Sequence, residues 1–282
     1  MPELPEVETT LRGIAPKIQG QTIQTLDIRQ PKLRWPLSDF LQQNRLAGQT
    51  IQKILRRGKY LILQTQPGDL LIHLGMSGNL RILPHNTPIQ KHDHLDLKLN
   101  NGYLLRYHDP RRFGAWLWAD QTQGGYRQHP LIKHLGPEPL SENFTPQYLQ
   151  QKCQTRKSPI KTLIMNNQIV VGIGNIYANE ALFLSGLHPQ TPTSQLTHQD
   201  YNRLVHHIKQ VLQAAIQQGG TTLKDFLTPE GKPGYFEQKL HVYGRTGQPC
   251  LQCQTPIEKH THQQRASYLC PLCQPSPNTT KT

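Results

Sequence analysis

Four cysteines near the end of the chain place the tightest constraint on its fold: Cys250-x2-Cys253 and Cys270-x2-Cys273, with sixteen residues between the pairs. Two tight turns that each present two thiolates match the spacing by which four cysteines enclose a tetrahedral zinc ion. Every coordination position would be filled by protein, so one structural, non-catalytic Zn2+ is expected. The intervening segment must then fold back as a small hairpin. Tyr243, Arg245, Lys259, Arg265 and Tyr268, on and just before it, give that hairpin the basic and aromatic character that suits nucleic acid. Cys153 stands alone, no disulfide is implied, and the pattern fits a reducing compartment.

Charge points the same way. Lys and Arg number 31 against 18 Asp and Glu, a formal net charge of +13, which calls for a polyanionic partner. No apolar run approaches the length of a membrane-spanning helix, and acids stand at the N-terminus where a secretory signal needs a basic start. The expectation is a soluble cytoplasmic monomer that meets nucleic acid and no membrane. Its 282 residues suffice for two cores, since domains cluster near about 100–150 residues.

Periodicity divides the chain. Val7, Leu11, Ile14 and Ile18 recur at helical spacing, with Pro16 expected to bend or end that helix. From about residue 22 to 120 come short apolar runs separated by turn residues: Ile23–Ile28, Tyr60–Leu63, Leu70–Leu74 and Leu80–Leu83. Leu95, Leu97 and Leu99, then Asn101-Gly102, then Tyr103-Leu104-Leu105 read as a β-hairpin. This half, residues 1–134, is predicted to be mainly antiparallel β. Residues 135–146, rich in proline, read as a connection. Beyond it the period is helical, clearest in the face Tyr201, Leu204, Val205, Ile208, Val211, Leu212, Ala215 and Ile216. Thr197 and Asp200 offer its cap, and Gly219-Gly220 its stop. A helical domain is expected over 147–235, the cysteine hairpin over 236–274, and a disordered tail over 275–282.

The opening Met1-Pro2-Glu3-Leu4-Pro5-Glu6-Val7-Glu8 carries chemistry of its own. Removal of Met1 would expose a rigid secondary amine able to attack a sugar anomeric carbon and form an iminium, as lysine does in Schiff-base enzymes. A chain-terminal amine has a pKa of about 8 against about 10.4 for lysine, so far more of it is unprotonated near neutrality. The bland alternative is a proline and three acids that merely favour a helix N-terminus.

Six motifs in order decide between these. The opening, Arg57-Gly58-Lys59-Tyr60-Leu61, His73-Leu74-Gly75-Met76-Ser77-Gly78, Asp109-Pro110-Arg111-Arg112-Phe113-Gly114, Gly172-Ile173-Gly174-Asn175-Ile176-Tyr177-Ala178 and the cysteine hairpin together resemble the bacterial formamidopyrimidine-DNA glycosylases. The resemblance runs from residue 2 to about residue 274. It implies an α+β multidomain fold: an N-terminal antiparallel β-sandwich with a leading helix, then a helical helix-two-turn-helix domain with a four-cysteine zinc finger, with double-stranded DNA in the cleft between them. It also implies a base-excision repair enzyme, associated with the nucleoid through DNA, that removes oxidised purines such as 8-oxoguanine and formamidopyrimidines and cuts the strand by β,δ-elimination.

Residue by residue, the resemblance makes the Pro2 nitrogen the nucleophile at sugar C1′ and Glu3 the essential acid, with Glu6 orienting the terminus behind them. Lys59 would contact the lesion and donate a proton in β-elimination. A base must leave the stack before chemistry can reach it. Met76, Arg111 and Phe113 are the residues expected to fill the vacancy, two by apolar bulk and Arg111 by bonding the orphaned partner base. His92, Arg111, Arg112, Arg156, Lys157, Lys161 and Asn175 are expected along the DNA backbone, Asn175 at a helix start behind two glycines. Arg265 is associated with the δ step; a guanidinium is a poor proton donor near neutrality, so electrostatic positioning of phosphates is its expected role. Thr221, Thr222 and Tyr235, in a glycine- and proline-rich segment, are candidate base contacts. Two alternatives remain: the related endonuclease VIII branch acting on oxidised pyrimidines, and a zinc-ribbon DNA-binding protein without catalysis.

Overall fold

A computed structural model of the chain describes residues 2–153, 155–219, 240–262 and 264–277. They form two compact units, one built on residues 2–134 and the other on 135–217 and 240–277.

The first unit opens with helix α1 (Leu4–Ile18). Val7, Ile14 and Ile18 are buried along one face, as the helical spacing predicts; Leu4 joins them and Leu11 is half-buried. Pro16 does not end the helix: it sits in the last turn, and the Gln19 N–H still reaches the Ala15 carbonyl at 3.0 Å. Strands β1 (Ile23–Ile28), β2 (Lys53–Arg57), β3 (Tyr60–Gln64), β4 (Gly68–His73), β5 (Asn79–Pro84), β6 (Asp93–Leu99), β7 (Tyr103–His108) and β8 (Ala115–Asp120) follow, with short helices α2 (Asp39–Gln42) and α3 (Gly125–Gln128). They make two four-stranded antiparallel sheets, ordered β1-β6-β7-β5 and β2-β3-β4-β8. Leucines and isoleucines of both sheets join α1 in one core, so the unit is a β-sandwich.

The expected β6–β7 hairpin forms, but its loop has three residues, 100–102, in place of a two-residue Asn101-Gly102 turn, so Leu97 lies opposite Leu105, and Gly102 is in the left-handed region at φ 84°. Of the residues alternating with the leucines of β6, His94 and Asp96 are buried and only Lys98 reaches solvent. Asp93, Asp96 and, from β7, Arg106 are all buried. Arg106 holds Asp96 through two bonds at 2.8 and 2.9 Å, and Arg29 holds the same carboxylate at 2.8 and 3.0 Å. The face opposite the apolar core is thus sealed by paired charges.

In the second unit, α4 (Pro146–Cys153), α5 (Ile160–Ile164), α6 (Asn175–Leu184) and α7 (His198–Gln217) pack together, and β9 (Glu258–His262) pairs antiparallel with β10 (Arg265–Leu269). Helix α6 is buried from Ile176 to Phe183 on every side, so the unit is built around it. Helix α7 starts with the expected box: the Thr197 N–H donates to Asp200 at 2.8 Å and the Asp200 N–H returns to the Thr197 hydroxyl at 3.3 Å. Val211 of its apolar face is only half-buried. Residues 135–146 pack as part of this unit, with Phe144 fully buried and the Gly136 N–H bonded to Asn167.

Burial pushes the Asp96 carboxyl upward, but Arg106 and Arg29 outweigh it and hold it below the usual carboxylate value. Its stabilising effect is therefore complete above about pH 4, the unfolded value, and is lost as pH falls through the lower folded one. Asp96→Ala, which removes both of Arg106's hydrogen bonds to that carboxylate and leaves it Asp93 and two carbonyls, is expected to cost about 3 kcal/mol at pH 7. Thermal unfolding of variant and parent across pH should show the gap narrowing below pH 4.

Candidate active site and nucleic-acid interface

The opening acids are not a solvated helix face. Pro2 is buried, Glu3 is 3% exposed and Glu6 fully buried. Glu3 occupies the cap of α1, and its N–H donates to the Glu6 carboxylate at 2.8 Å. This bond fixes the backbone one residue after Pro2. Both side chains also lie at the first turn, the positive end of the helix dipole.

Helix α1 packs against β2 and β3, whose two-residue turn is Gly58-Lys59. Gly58 has φ 56°, the left-handed conformation that such a turn requires at its first position. Lys59 is 9% exposed although it stands at a hairpin tip. Opposite its neighbour Tyr60 lies His73, on β4. Burial, then the charges of Lys59 and Arg34, push the His73 imidazole down to about 4, so it is neutral near pH 7. Its Nδ1 accepts the Gly75 N–H at 3.1 Å. The proton of the neutral ring therefore sits on Nε2.

Met76 lies on the β4–β5 connection and Arg111 and Phe113 on the β7–β8 connection, and both connections cross between the two sheets. Met76 is 38% and Phe113 45% exposed, large apolar groups left in solvent. The Arg111 guanidinium stacks on the Phe113 ring at 4.8 Å. Asp109, fully buried, ties the two connections together: it accepts from Ser77 Oγ at 2.6 Å, Tyr107 OH at 2.9 Å, and the Gly114 and Arg111 N–H groups at 2.9 and 3.3 Å. A Cβ on Gly75 would lie 2.4 Å from the Gly114 nitrogen, so the backbones touch. His92 and Arg112 both adopt left-handed backbone, φ 72° and 55°, unusual for residues with side chains. Hydrogen bonds hold them, from Asp109 N–H to the His92 carbonyl and from Arg112 N–H to the Asp109 carbonyl. Burial and the neighbouring charges of Lys91, His108, His94 and Arg112 lower the His92 pKa.

In the second unit the four cysteine sulfurs lie within 4.8 Å of one another, with separations of 3.4, 3.5 and 3.9 Å recorded. Sulfurs at the corners of a tetrahedron with metal–sulfur bonds of about 2.3 Å are about 3.8 Å apart. Hydrogen bonds from Thr255 bring the Cys253 thiol down to about 6, whereas burial and the neighbouring thiols push Cys270 and Cys273 up. So crowded a set ionises fully only around a cation. The hairpin is pinned to the helices by polar side chains: Lys161 Nζ donates to the Ala266 carbonyl and Ser267 Oγ at 2.7 and 2.9 Å, Asn175 Nδ2 donates to the same carbonyl at 2.9 Å, and the Tyr268 N–H donates to Asn179 at 3.0 Å. Lys161 is therefore buried at 4% exposure and braces the hairpin, where sequence alone places it along a phosphate track. Arg265 is exposed at the start of β10. It lines a cavity of about 290 Å³ with Lys161, Met165, His262 and Ser267. Asn175 begins α6, with Gly174 at its cap, and its Oδ1 is buried with no hydrogen-bond partner among the described residues. Arg156 and Lys157 are exposed. Thr221, Thr222 and Tyr235 lie outside the described residues.

The formamidopyrimidine-DNA glycosylase N-terminal domain pattern matches residues 1–116, and the H2TH domain pattern of the same enzymes matches 135–227. The chain belongs to the formamidopyrimidine-DNA glycosylase family. It is 62% identical over 274 residues to the formamidopyrimidine-DNA glycosylase of Hydrogenovibrio crunogenus, covering 97% of this chain and 96% of the relative. The Salmonella typhimurium enzyme is 54% identical, over 97% of this chain and all of its own. Among solved structures, the Lactococcus lactis enzyme bound to DNA with an abasic site is 35% identical with a TM-score of 0.88, covering 97% of this chain and all of that one. The same enzyme has also been seen with N7-benzyl-Fapy-dG DNA, at 36% identity and a TM-score of 0.88 over 98% of this chain and all of that one.

Sequence reading gave roles to Met76, Arg111 and Phe113 but none to Asp109, Ser77 and His73 of the same motifs, and it did not single out Tyr107; these hold or adjoin the three. A buried carboxylate betrays itself only through its distant donors. Asp109→Asn, which turns an amide N–H toward donors, is expected to cost about 1–3 kcal/mol of stability, measurable by urea unfolding at pH 7. An unchanged unfolding midpoint would show that the two connections hold together without it.

Proposed function

We propose that this glycosylase removes oxidised purines with the Pro2 nitrogen as nucleophile and then cleaves the abasic strand as a lyase. The observation that carries this reading is the buried start of α1, where Glu6 holds the Glu3 N–H and so aims the residue before it. With Met1 removed, the Pro2 amine attacks C1′ and the bond to the base breaks. The Glu3 carboxyl protonates the sugar ring oxygen as the ring opens. The resulting iminium withdraws electrons, so loss of a C2′ proton expels the 3′ phosphate. Lys59, a buried ammonium on the adjoining turn, suits the lesion's phosphate or a proton transfer in that step. The purine preference is supported by the lesions that relatives have been seen to bind, N7-benzyl-Fapy-dG and carbocyclic 8-oxo-G DNA.

We assign Met76, Phe113 and the stacked Arg111 to the space a displaced base leaves, because exposed apolar groups carried on braced backbone can act as a wedge. His92, Arg112, Arg156, Lys157, Asn175 and Arg265 are assigned to phosphates. Lys161 serves them indirectly, by holding the strand that starts with Arg265. One zinc ion, held by Cys250, Cys253, Cys270 and Cys273, would fix that hairpin's fold. No helix among the described residues is long and apolar enough to cross a membrane.

Borohydride reduction in the presence of abasic duplex should cross-link the protein through residue 2, located by mass spectrometry, and Pro2→Gly should lose base excision while DNA binding persists. A cross-link mapped to another side chain would refute the nucleophile. Faster cleavage of thymine glycol than of 8-oxoguanine duplexes would instead overturn the substrate. Affinity should fall steeply with salt, and Arg156→Ala should reduce the slope of log affinity against log salt by about 1.

A further inference from the structure

Between the start of α1 and the Lys59 turn runs a pair of side chains that the proposed reaction does not use. Glu8, one and a half turns after Glu3, accepts from Arg56 Nε at 2.8 Å through one oxygen and from Arg12 Nε at 3.0 Å through the other. Arg56 lies on β2, and its Nη1 donates to the Gly58 carbonyl at 3.0 Å. Gly58 is the first residue of the turn and Lys59 the second. The guanidinium therefore joins, in one rigid plane, the helix that carries Pro2 and Glu3 to the peptide group whose nitrogen is that of Lys59. Both side chains are largely shielded, Arg56 at 12% and Glu8 at 18% exposure. Burial pushes the Glu8 carboxyl upward, but Arg56 and Arg12 outweigh it and keep it below its usual value, so the pair is ionised throughout the neutral range.

We propose that Glu8 and Arg56 are positioning residues that set the distance between the nucleophilic end of α1 and the Lys59 ammonium. The inference rests on the reading of Pro2 and Lys59 given above. Its physical basis is geometric: two acceptors on separate elements are bridged by the fixed fork of one guanidinium, which a lysine ammonium on a flexible stem does not reproduce. The covalent chemistry is untouched by the pair. What it supplies is the placement of two reacting groups, and misplacement by about 1 Å can cost on the order of a hundredfold in rate.

The test uses the full-length, zinc-loaded protein and abasic duplex, with kcat, KM and borohydride trapping rates for Arg56→Lys, Glu8→Ala, Glu8→Gln and the Glu8→Ala/Arg56→Lys double variant. Arg56→Lys and Glu8→Ala should each lower kcat by about tenfold to a hundredfold and leave KM within about twofold of the parent. Glu8→Gln, whose amide oxygen still accepts from Arg56, should recover most of the loss. The double variant should be no worse than Arg56→Lys alone, because both changes break one bridge. A parental kcat in Glu8→Ala, a loss confined to KM, or losses that multiply in the double variant would overturn the proposal; if Arg56→Lys does not fold, Glu8→Ala and its rescue by Gln decide. Lys59→Ala is run alongside. Parental cleavage by Lys59→Ala would bring down the underlying reading, whereas its inactivity beside a fully active Glu8→Ala would bring down this inference alone.

Discussion

The Asp109 carboxylate is fully buried, and four donors converge on it: Ser77 from the β4–β5 connection, Arg111 and Gly114 from the β7–β8 connection, and Tyr107 from β7. A buried carboxylate is costly unless its lone pairs are filled, so the Met76 connection and the Arg111–Phe113 connection must close on each other to satisfy it. Three exposed side chains are thereby carried on backbone that cannot spread. Tyr107 reinforces the arrangement, since burial and the adjacent Asp109 charge raise its pKa well above normal and keep its hydroxyl a donor.

Other buried acids in the chain work by the same logic. Glu6 holds the N-terminal backbone of α1. Asp96 gathers Arg29 and Arg106 at the far face of the sandwich. In the second unit Glu180, on α6, accepts the backbone N–H groups of His241, Val242 and Tyr243 and the His241 ring nitrogen, at 2.7 to 2.9 Å. That carboxylate anchors the stretch leading into the cysteine hairpin, while Lys161, Asn175 and Asn179 anchor β10. Polar anchors specify one docking arrangement where apolar contact alone would tolerate several. A hairpin with few apolar residues of its own, whose β9 is exposed throughout, has need of them.

Seen this way, the chain's positive charge divides into two populations. Arg29, Arg56, Arg106 and Lys161 are committed to carboxylates or carbonyls within their units and serve the architecture. Arg111, Arg112, Arg156, Lys157 and Arg265 are exposed and carry the outward field that a polyanion meets. Composition counts both alike.

The sequence by itself determined whatever is local or periodic. Cysteine spacing placed the sulfur cluster, the helical recurrence placed α1 and α7, the leucine alternation placed the β6–β7 hairpin, and motif order singled out Pro2, Glu3, Lys59, Met76 and Phe113 as the residues to which roles are proposed. Strand β2 escaped singling out because Lys53, Arg56 and Arg57 dilute its apolar pattern, and Pro16 misled because a proline in a final turn forfeits little. What only the tertiary structure decided is which charges are buried and whom they face. Asp109 with Ser77, Glu8 with Arg56 and Lys161 with Ala266 are pairs separated by 32, 48 and 105 positions. The desolvation that makes each pairing obligatory arises only once the chain has folded around it, and no local pattern of residues encodes it.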